Sequence, residues 1–270
     1  MHPKQSDWDQ FYAHLKQKTG LNLHDYKQQQ MQRRILSMLE AREATDLTTF
    51  WKSLTADPKG IEWFLDKMAI NTSELYRNPE KWVEMRSTIL PSLLQGKKSL
   101  KCWSAGCSIG AEAYTLASIL DAYFPGTHTI LCSDIDKAAL AQARSGRYGQ
   151  FEMKCVPDDI RKKYFSEQDG QFEAKPSLKK YLKFEECNLL NDRFQTGFDL
   201  IMCRNVVIYF TEEAKNVLYE RFNESLNPGG VLFVGCTERI GNARALGLES
   251  SLPFFYQKQN SGDQKWRNAS

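Results

Sequence analysis

LKCWSAGCSIGAEAYTLASILDAYF, residues 100–124, decides the fold. The first seven residues are a short apolar run that ends in a glycine turn, which reads as a buried strand. The stretch from Gly110 to Phe124 reads as an amphipathic helix. Gly106 and Gly110 allow the backbone to turn tightly between the two and to approach a ligand closely. Their spacing is G-x-x-x-G, not the G-x-G-x-x-G of dinucleotide sites, and no Lys follows the second glycine as it does in a phosphate-gripping loop. A glycine turn without phosphate machinery fits a nucleoside ligand that carries no phosphate, of which S-adenosylmethionine is the common one.

The same alternation continues outward from this stretch. HTILCSD (128–134), FDLIMCRN (198–205), VLFVGC (231–236) and LPFFYQK (252–258) are strand-like, and DKAALAQARSG (136–146) and EEAKNVLYERFNESL (212–226) are helical, the latter ended by NPGG. Buried strands alternating with helices predict a doubly wound α/β sheet with helices on both faces. Between Gly149 and Asn188 the alternation breaks. A short helix (157–165) and two strand-like runs, QFEAK and KKYLKFEE, predict a small antiparallel β insertion over 149–187.

Residues before about 95 carry helical periodicity and almost no strand signal. Helices are expected near 7–17, 46–55, 58–70 and 79–94, with Pro58 and Pro79 suited to first turns. Met31, Ile35, Met38 and Leu39 form an apolar stripe on another helix, and Lys27, Gln30, Arg34 and Ser37 form a second face of it. Residues 14–42 hold six basic and two acidic side chains, whereas residues 1–80 hold eleven of each, so the positive charge is local. The predicted organisation is a helical domain over 1–78, a linker helix over 79–98, a nucleoside-binding sheet domain over 99–258 and a disordered tail over 259–270.

Composition excludes several classes. The 270 residues carry 36 basic and 33 acidic side chains, too even a balance for general nucleic-acid binding. No apolar run reaches the length of a membrane span, and the first ten residues lack the apolar core of a secretory signal. The seven cysteines form no C-x-x-C pair, several lie inside strand-like runs, and they read as reduced thiols of a cytoplasmic protein. No metal site is expected.

Three further groups point to chemistry. Asp134 ends the strand after the glycine turn, where a carboxylate faces the ribose of a nucleoside bound over the first strand. Asp136, two residues on, reads as a helix N-cap. Arg204 and Asn205 interrupt an apolar run at a strand end, the edge where open α/β sheets bind ligands, and Tyr209 follows, as a functional or a packing aromatic. Asn71, Ser73 and Arg77 precede an apparent helix start, as caps or as ligands.

In order and content these segments resemble the CheR-type chemotaxis receptor methyltransferases. The matching pieces are NTSELYR (71–77), SAGCSIGAEAY (104–114), SDID followed by KAALAQARSGRY (133–148), NLL (188–190), CRNVVIYF (203–210) and NPGGVLFVGCTE (227–238). The resemblance implies an S-adenosylmethionine-dependent enzyme that methylates glutamate side chains of chemoreceptors. By similarity the cofactor touches Asn71, Ser73, Arg77, Gly106, Glu112, Asp134, Asn188, Leu189, Arg204 and Asn205, and Arg77 and Tyr209 lie nearest the transferred methyl. Two departures stand out. NTSELYR replaces the usual NxTxFFR, with Ser73 retaining the hydroxyl, and GAEAYT replaces GEEPYS, leaving Glu112 as the acid. Cys236 stands where the family often has His and is assigned no role.

The implied partners are the cytoplasmic helical domains of receptors, met by a monomer through Lys27, Arg33 and Arg34, unless that helix face is only solvated. Arg77 orients either the substrate carboxylate or the methionine end of the cofactor, and Tyr209 either donates a hydrogen bond or shapes the methyl pocket. A small-molecule carboxyl methyltransferase and a nucleoside-binding regulatory module of the same fold remain as alternatives.

Overall fold

Ten strands and the helices between them are seen in a computed structural model that describes residues 3–68 and 73–259. The strands are β1 (Lys101–Ala105), β2 (Thr129–Asp134), β3 (Arg147–Tyr148), β4 (Phe165–Gln168), β5 (Gln171–Ala174), β6 (Leu182–Glu186), β7 (Phe198–Cys203), β8 (Leu226–Val234), β9 (Leu248–Leu252) and β10 (Phe255–Lys258). Seven of them form one sheet in the order β6-β2-β1-β7-β8-β10-β9. The pairs from β6 to β8 are parallel, and β10 runs antiparallel to both β8 and β9. From β1 the chain builds outward through β2 to β6, then returns to the other side of β1 as β7. The point where the order reverses lies between β1 and β7, and ligands of such sheets bind outside the strand ends there.

Packing explains the strand sequences. All six residues of β7 are buried, as expected for a central strand covered on both faces. On one face Trp103 stacks on Phe198 at 5.3 Å and meets Phe222 edge-on at 5.4 Å, while its indole N–H donates to the Ser133 hydroxyl at 2.8 Å. The helix after β1, Ala111–Tyr123, is buried nearly all round from Ala111 to Leu120. The sequence reads as amphipathic, but residues from 75–93 and from the insertion share its core and cover the second side.

The insertion differs from its expected form. Its small antiparallel sheet has the order β3-β5-β4, so QFEAK pairs with Arg147–Tyr148 and Phe165–Gln168. KKYLKFEE is not its partner: β6 pairs parallel with β2, from Ile130↔Leu182 to Asp134↔Glu186, and edges the main sheet. Two runs close in sequence suggest a hairpin, but the apolar side chains of β6 find a larger core beside β2. NPGG also does more than end a helix, since β8 starts at Leu226 and absorbs it at a register shift against β7. β9 carries the exposed polar run Glu249–Ser251 between Leu248 and Leu252 and gave no strand signal.

The chain divides into two compact units, Met1–Ile70 with Tyr209–Val217, and Asn71–Ile208 with Leu218–Ser270. The first contains helices Gln5–Thr19, Gln28–Ala41, Leu47–Ala56 and Gly60–Met68. Phe11 is at its centre, stacked on Phe50 at 5.9 Å and edge-on to Phe64 at 5.9 Å. Met31, Ile35, Met38 and Leu39 are buried, as their spacing predicts. Asp46 caps its helix by accepting the Thr49 N–H at 2.7 Å.

Candidate active site

At the end of β1 the chain turns through Gly106, whose φ is +73°. The N–H groups of Gly106 and Cys107 donate to the Ser133 carbonyl at 2.8 and 2.9 Å, tying the turn to β2. A Cβ at position 106 would lie 2.5 Å from a Val206 methyl. Left-handed backbone and close packing thus both demand glycine there.

Asp134 sits beside this turn. One carboxylate oxygen accepts the Ser108 N–H at 2.7 Å and the other accepts the Asp136 N–H at 2.9 Å. Each oxygen keeps lone-pair capacity for a further donor. Burial raises the Asp134 pKa above the usual carboxylate value, and the backbone N–H groups work against that rise. Asp136 is the N-cap of the next helix, accepting from the N–H groups of Ala138 and Ala139.

A second cluster joins three distant segments. The Arg204 guanidinium, whose side chain is fully buried, donates to Glu112 at 2.7 Å, to the Asn78 side chain at 2.8 Å and to the Arg77 carbonyl at 3.4 Å. It lies over the ring of Phe233 at 4.6 Å, with Trp82 at 5.7 Å. Burial raises the Glu112 pKa, opposed by the charges of Arg204 and Arg77. Arg204 Nε is buried and has no partner among the described residues.

The expected cofactor residues fall into four groups. Gly106 and Asp134 meet at the ends of β1 and β2. Glu112, Arg204 and Arg77 meet in the buried cluster. Asn188 and Leu189 follow β6 in a loop where Asn188 Oδ1 accepts the Leu190 N–H at 3.0 Å. Arg221 clamps that loop by donating to the Leu189 carbonyl at 2.6 Å and to the Asp192 carbonyl. Asn205 takes a left-handed φ of +60°, a conformation that Asn tolerates better than most residues. Ser73 is half-buried, and Asn71 lies outside the described residues.

Tyr209 ends a 3-10 turn, Val207–Tyr209, and belongs with the helical unit. Its carbonyl accepts the Lys27 N–H at 2.8 Å, Tyr26 and Phe210 form a bridge, and their rings meet edge-on at 5.0 Å. Of the expected docking residues, Lys27 is the N-cap of Gln28–Ala41 rather than part of its face, because the helix begins after it. Arg34 donates to the Lys67 carbonyl at 2.7 Å, braces two helices, and interacts electrostatically with Tyr209. Arg33 is exposed.

Sequence reasoning missed Asn78, Arg221 and Glu238. Asn78 has a φ of +59° just before Pro79, and an Asn-Pro pair is a turn signal that marks it. Arg221 and Glu238 act across folded distances that no local pattern records. The cysteines are unpaired. Among the described residues, no group of three or more His, Cys, Asp or Glu side chains is placed to hold a metal ion.

A parallel sheet with a glycine turn, a buried acid beside it and a buried Arg–Glu pair at its strand ends is the arrangement of a nucleoside-binding α/β domain. Comparison with known proteins narrows this. Residues 71–251 match the S-adenosylmethionine-binding domain of CheR methyltransferase, and residues 6–69 match the all-alpha domain of CheR methyltransferase. A chemotaxis protein methyltransferase of Listeria monocytogenes is 37% identical, the match covering 94% of this chain and 98% of that protein. One from Borreliella burgdorferi is 33% identical, with 88% of this chain and 89% of that protein covered. The chain belongs to the CheR methyltransferase family, and its sheet domain binds S-adenosylmethionine.

The residues fit that cofactor. Asp134 offers acceptors to two ribose hydroxyls. Glu112 keeps a second oxygen for an ammonium group, and the orphaned Arg204 Nε–H marks a buried donor among the same side chains.

Proposed function

We propose that this protein transfers the methyl group of S-adenosylmethionine to glutamate side-chain carboxylates of chemotaxis receptors in the cytoplasm, giving methyl esters. One observation carries the reading: segments around residues 77, 112 and 204 converge into one buried charged cluster beside the glycine turn, in a chain of the CheR family.

The bound cofactor supplies a methyl carbon already activated by its sulfonium. The receptor glutamate is ionised at neutral pH, its reference pKa being about 4.3, so no residue of this chain has to remove a proton. The protein's task is positioning and desolvation. Asp134, anchored by two N–H groups, holds the ribose hydroxyls. The loop clamped by Arg221, with Asn188 and Leu189, borders the base. Asn71, Ser73 and Asn205 complete the cradle. Glu112, fixed by Arg204, receives the amino group of the methionine end. Arg77 orients the incoming carboxylate. Tyr209, four residues after Asn205, acts at the transfer step. The basic residues Lys27, Arg33 and Arg34 meet the acidic receptor helices.

Incubation with methyl-labelled cofactor tests this. Base-labile label should enter glutamates of a receptor cytoplasmic fragment and not free dicarboxylic acids. Label in small acids alone would overturn the protein substrate, and cofactor binding without transfer to either would make the protein a binding module.

A further inference from the structure

We propose that Glu238 is a positioning residue that sets the backbone of the Arg204–Tyr209 turn for methyl transfer. The inference deepens the proposed function and rests on it.

Glu238 lies just past the end of β8 and is 4% exposed. Its Oε2 accepts the N–H of Asn205 at 2.6 Å and the N–H of Gly235 at 2.7 Å, and the Ile208 N–H also stabilises the carboxylate. The two named bonds are short, as charge-assisted bonds to a carboxylate are. They fix Asn205, at the start of the turn and in its left-handed conformation, to Gly235 at the end of β8, and the Ile208 N–H, one residue before Tyr209, faces the same carboxylate. Val206 between them is the residue whose methyl presses on Gly106. One carboxylate thereby ties the turn that follows β7 to the glycine turn that follows β1.

Position 235 is shaped around this carboxylate. A Cβ there would lie 2.4 Å from Glu238 Oε2 and 3.0 Å from the Asn205 nitrogen. Only glycine lets the acid reach under the turn. Among the described residues, no basic side chain forms an ion pair with Glu238, and its Oε1 has no partner. A buried carboxylate without a cation is an expensive way to stabilise a fold. It is a good way to hold several backbone N–H groups in one arrangement, which a catalytic turn requires.

The experiment compares Glu238→Ala, Glu238→Gln, Gly235→Ala and, as a control, Asp199→Asn. Asp199 is a buried acid at the opposite end of the sheet, bonded to Lys97, the Lys101 N–H and Asn227. Folded fraction is taken from the stoichiometry of S-adenosylhomocysteine binding, and kcat for receptor methylation is expressed per folded molecule. Glu238→Ala and Gly235→Ala should each lower kcat by roughly 10- to 100-fold with a smaller change in the KM for cofactor, and the double variant should lose little more than either single one. Glu238→Gln, whose carbonyl can accept the same two N–H groups, should recover most of the rate. Asp199→Asn should lower Tm without lowering kcat. Wild-type kcat in folded Glu238→Ala, or a Gln variant as slow as the Ala one, overturns the inference. Wild-type protein that never methylates receptor overturns the proposed function instead, so the two failures are separable.

Discussion

Two carboxylate sites flank the switch point, and they are built on opposite plans. At the ends of β1 and β2, Asp134 is held by backbone N–H groups and forms no ion pair among the described residues. At the end of β7, Glu112 is held by a side chain, the fully buried Arg204, which also binds Asn78 and the Arg77 carbonyl. The first plan fixes an acceptor through the main chain, so it survives side-chain changes around it. The second depends chiefly on the Arg204 guanidinium, with the charge of Arg77 adding to it, so losing Arg204 disturbs every member of the cluster. On the proposed roles, a carboxylate for neutral hydroxyls needs only orientation, whereas one buried beside a cationic cofactor needs its charge balanced before the ligand arrives.

The sharpest way to break this contrast is Arg204→Ala. It strands Glu112 in a buried site and leaves Asn78 and the Arg77 carbonyl without their donor. Breaking a buried pair by removing one partner costs about 3–5 kcal/mol. Thermal melts should show that loss together with the disappearance of cofactor binding by calorimetry. Glu112→Gln with Arg204 intact should be milder, because the amide oxygen still accepts from the guanidinium. Equal stability of Arg204→Ala and wild type would mean the pair does not organise the site.

Tyr209→Phe comes next. Folding should survive, since the ring remains and the contact with Lys27 is through the Tyr209 carbonyl. If the hydroxyl acts in the transition state, kcat should fall by roughly 10- to 1000-fold while cofactor affinity barely moves. A fully active Tyr209→Ala enzyme would return this residue to the packing aromatics of the helical unit.

The contrast between the two plans also explains what could be read in advance. Gly106, Asp134 and the Asp136 cap were legible because each is a local event: a tight turn, a strand end and a helix start. The buried strands were legible because β7 and its neighbours are apolar throughout. Arg204 stood out as a charge at the end of an apolar run, but its partners did not, because Glu112 and Asn78 are 92 and 126 residues away. Glu238 ends one of the segments that carry the resemblance, but its reach to the Asn205 N–H, 33 residues away, left no local signal. KKYLKFEE was misassigned to the insertion because strand character is local and partner choice is not. Tyr209 followed Asn205 closely enough to look like one motif, yet its turn is bonded to Lys27, Tyr26 and Asp25.

Asp134→Ala has a smaller expected effect than the loss of Arg204. It removes up to two hydrogen bonds to the ribose, each worth about 1.5–3 kcal/mol at most, so cofactor affinity should fall at least roughly 10-fold; it also takes the acceptor from the Ser108 and Asp136 N–H groups, so Tm should fall too, by less than in Arg204→Ala. The pH dependence sharpens the assignment. Burial raises the Asp134 pKa, so on acidification the neutral form appears at a higher pH than for an exposed Asp. The ionised form is the double acceptor. Wild-type affinity should therefore weaken as pH falls toward the carboxylate range, beginning above the ordinary Asp value, and Asp134→Asn should be weaker at neutral pH and flatter with acid. Calorimetry giving parallel pH profiles for the two proteins would remove Asp134 from the ribose site.

The smallest effect tests the helical unit. Arg33 is exposed, whereas Arg34 braces Lys67 and lies near Tyr209. The two positions should therefore not behave as one patch. Arg33→Glu changes only a surface charge and should raise the KM for receptor several-fold at low salt, with the difference fading as ionic strength shortens the Debye length from about 30 Å at 0.01 M to about 8 Å at 0.15 M. Arg34→Glu should add a salt-independent loss, because it removes the donor to the Lys67 carbonyl and reverses the charge beside Tyr209. Cofactor affinity should be unchanged in Arg33→Glu, since nothing in the cradle involves that residue. Receptor methylation by Arg33→Glu that matches wild type at every ionic strength would make the face a solvated one and move receptor docking elsewhere on the chain. A salt-independent defect at position 33 would point instead to a packing role that its exposure does not support.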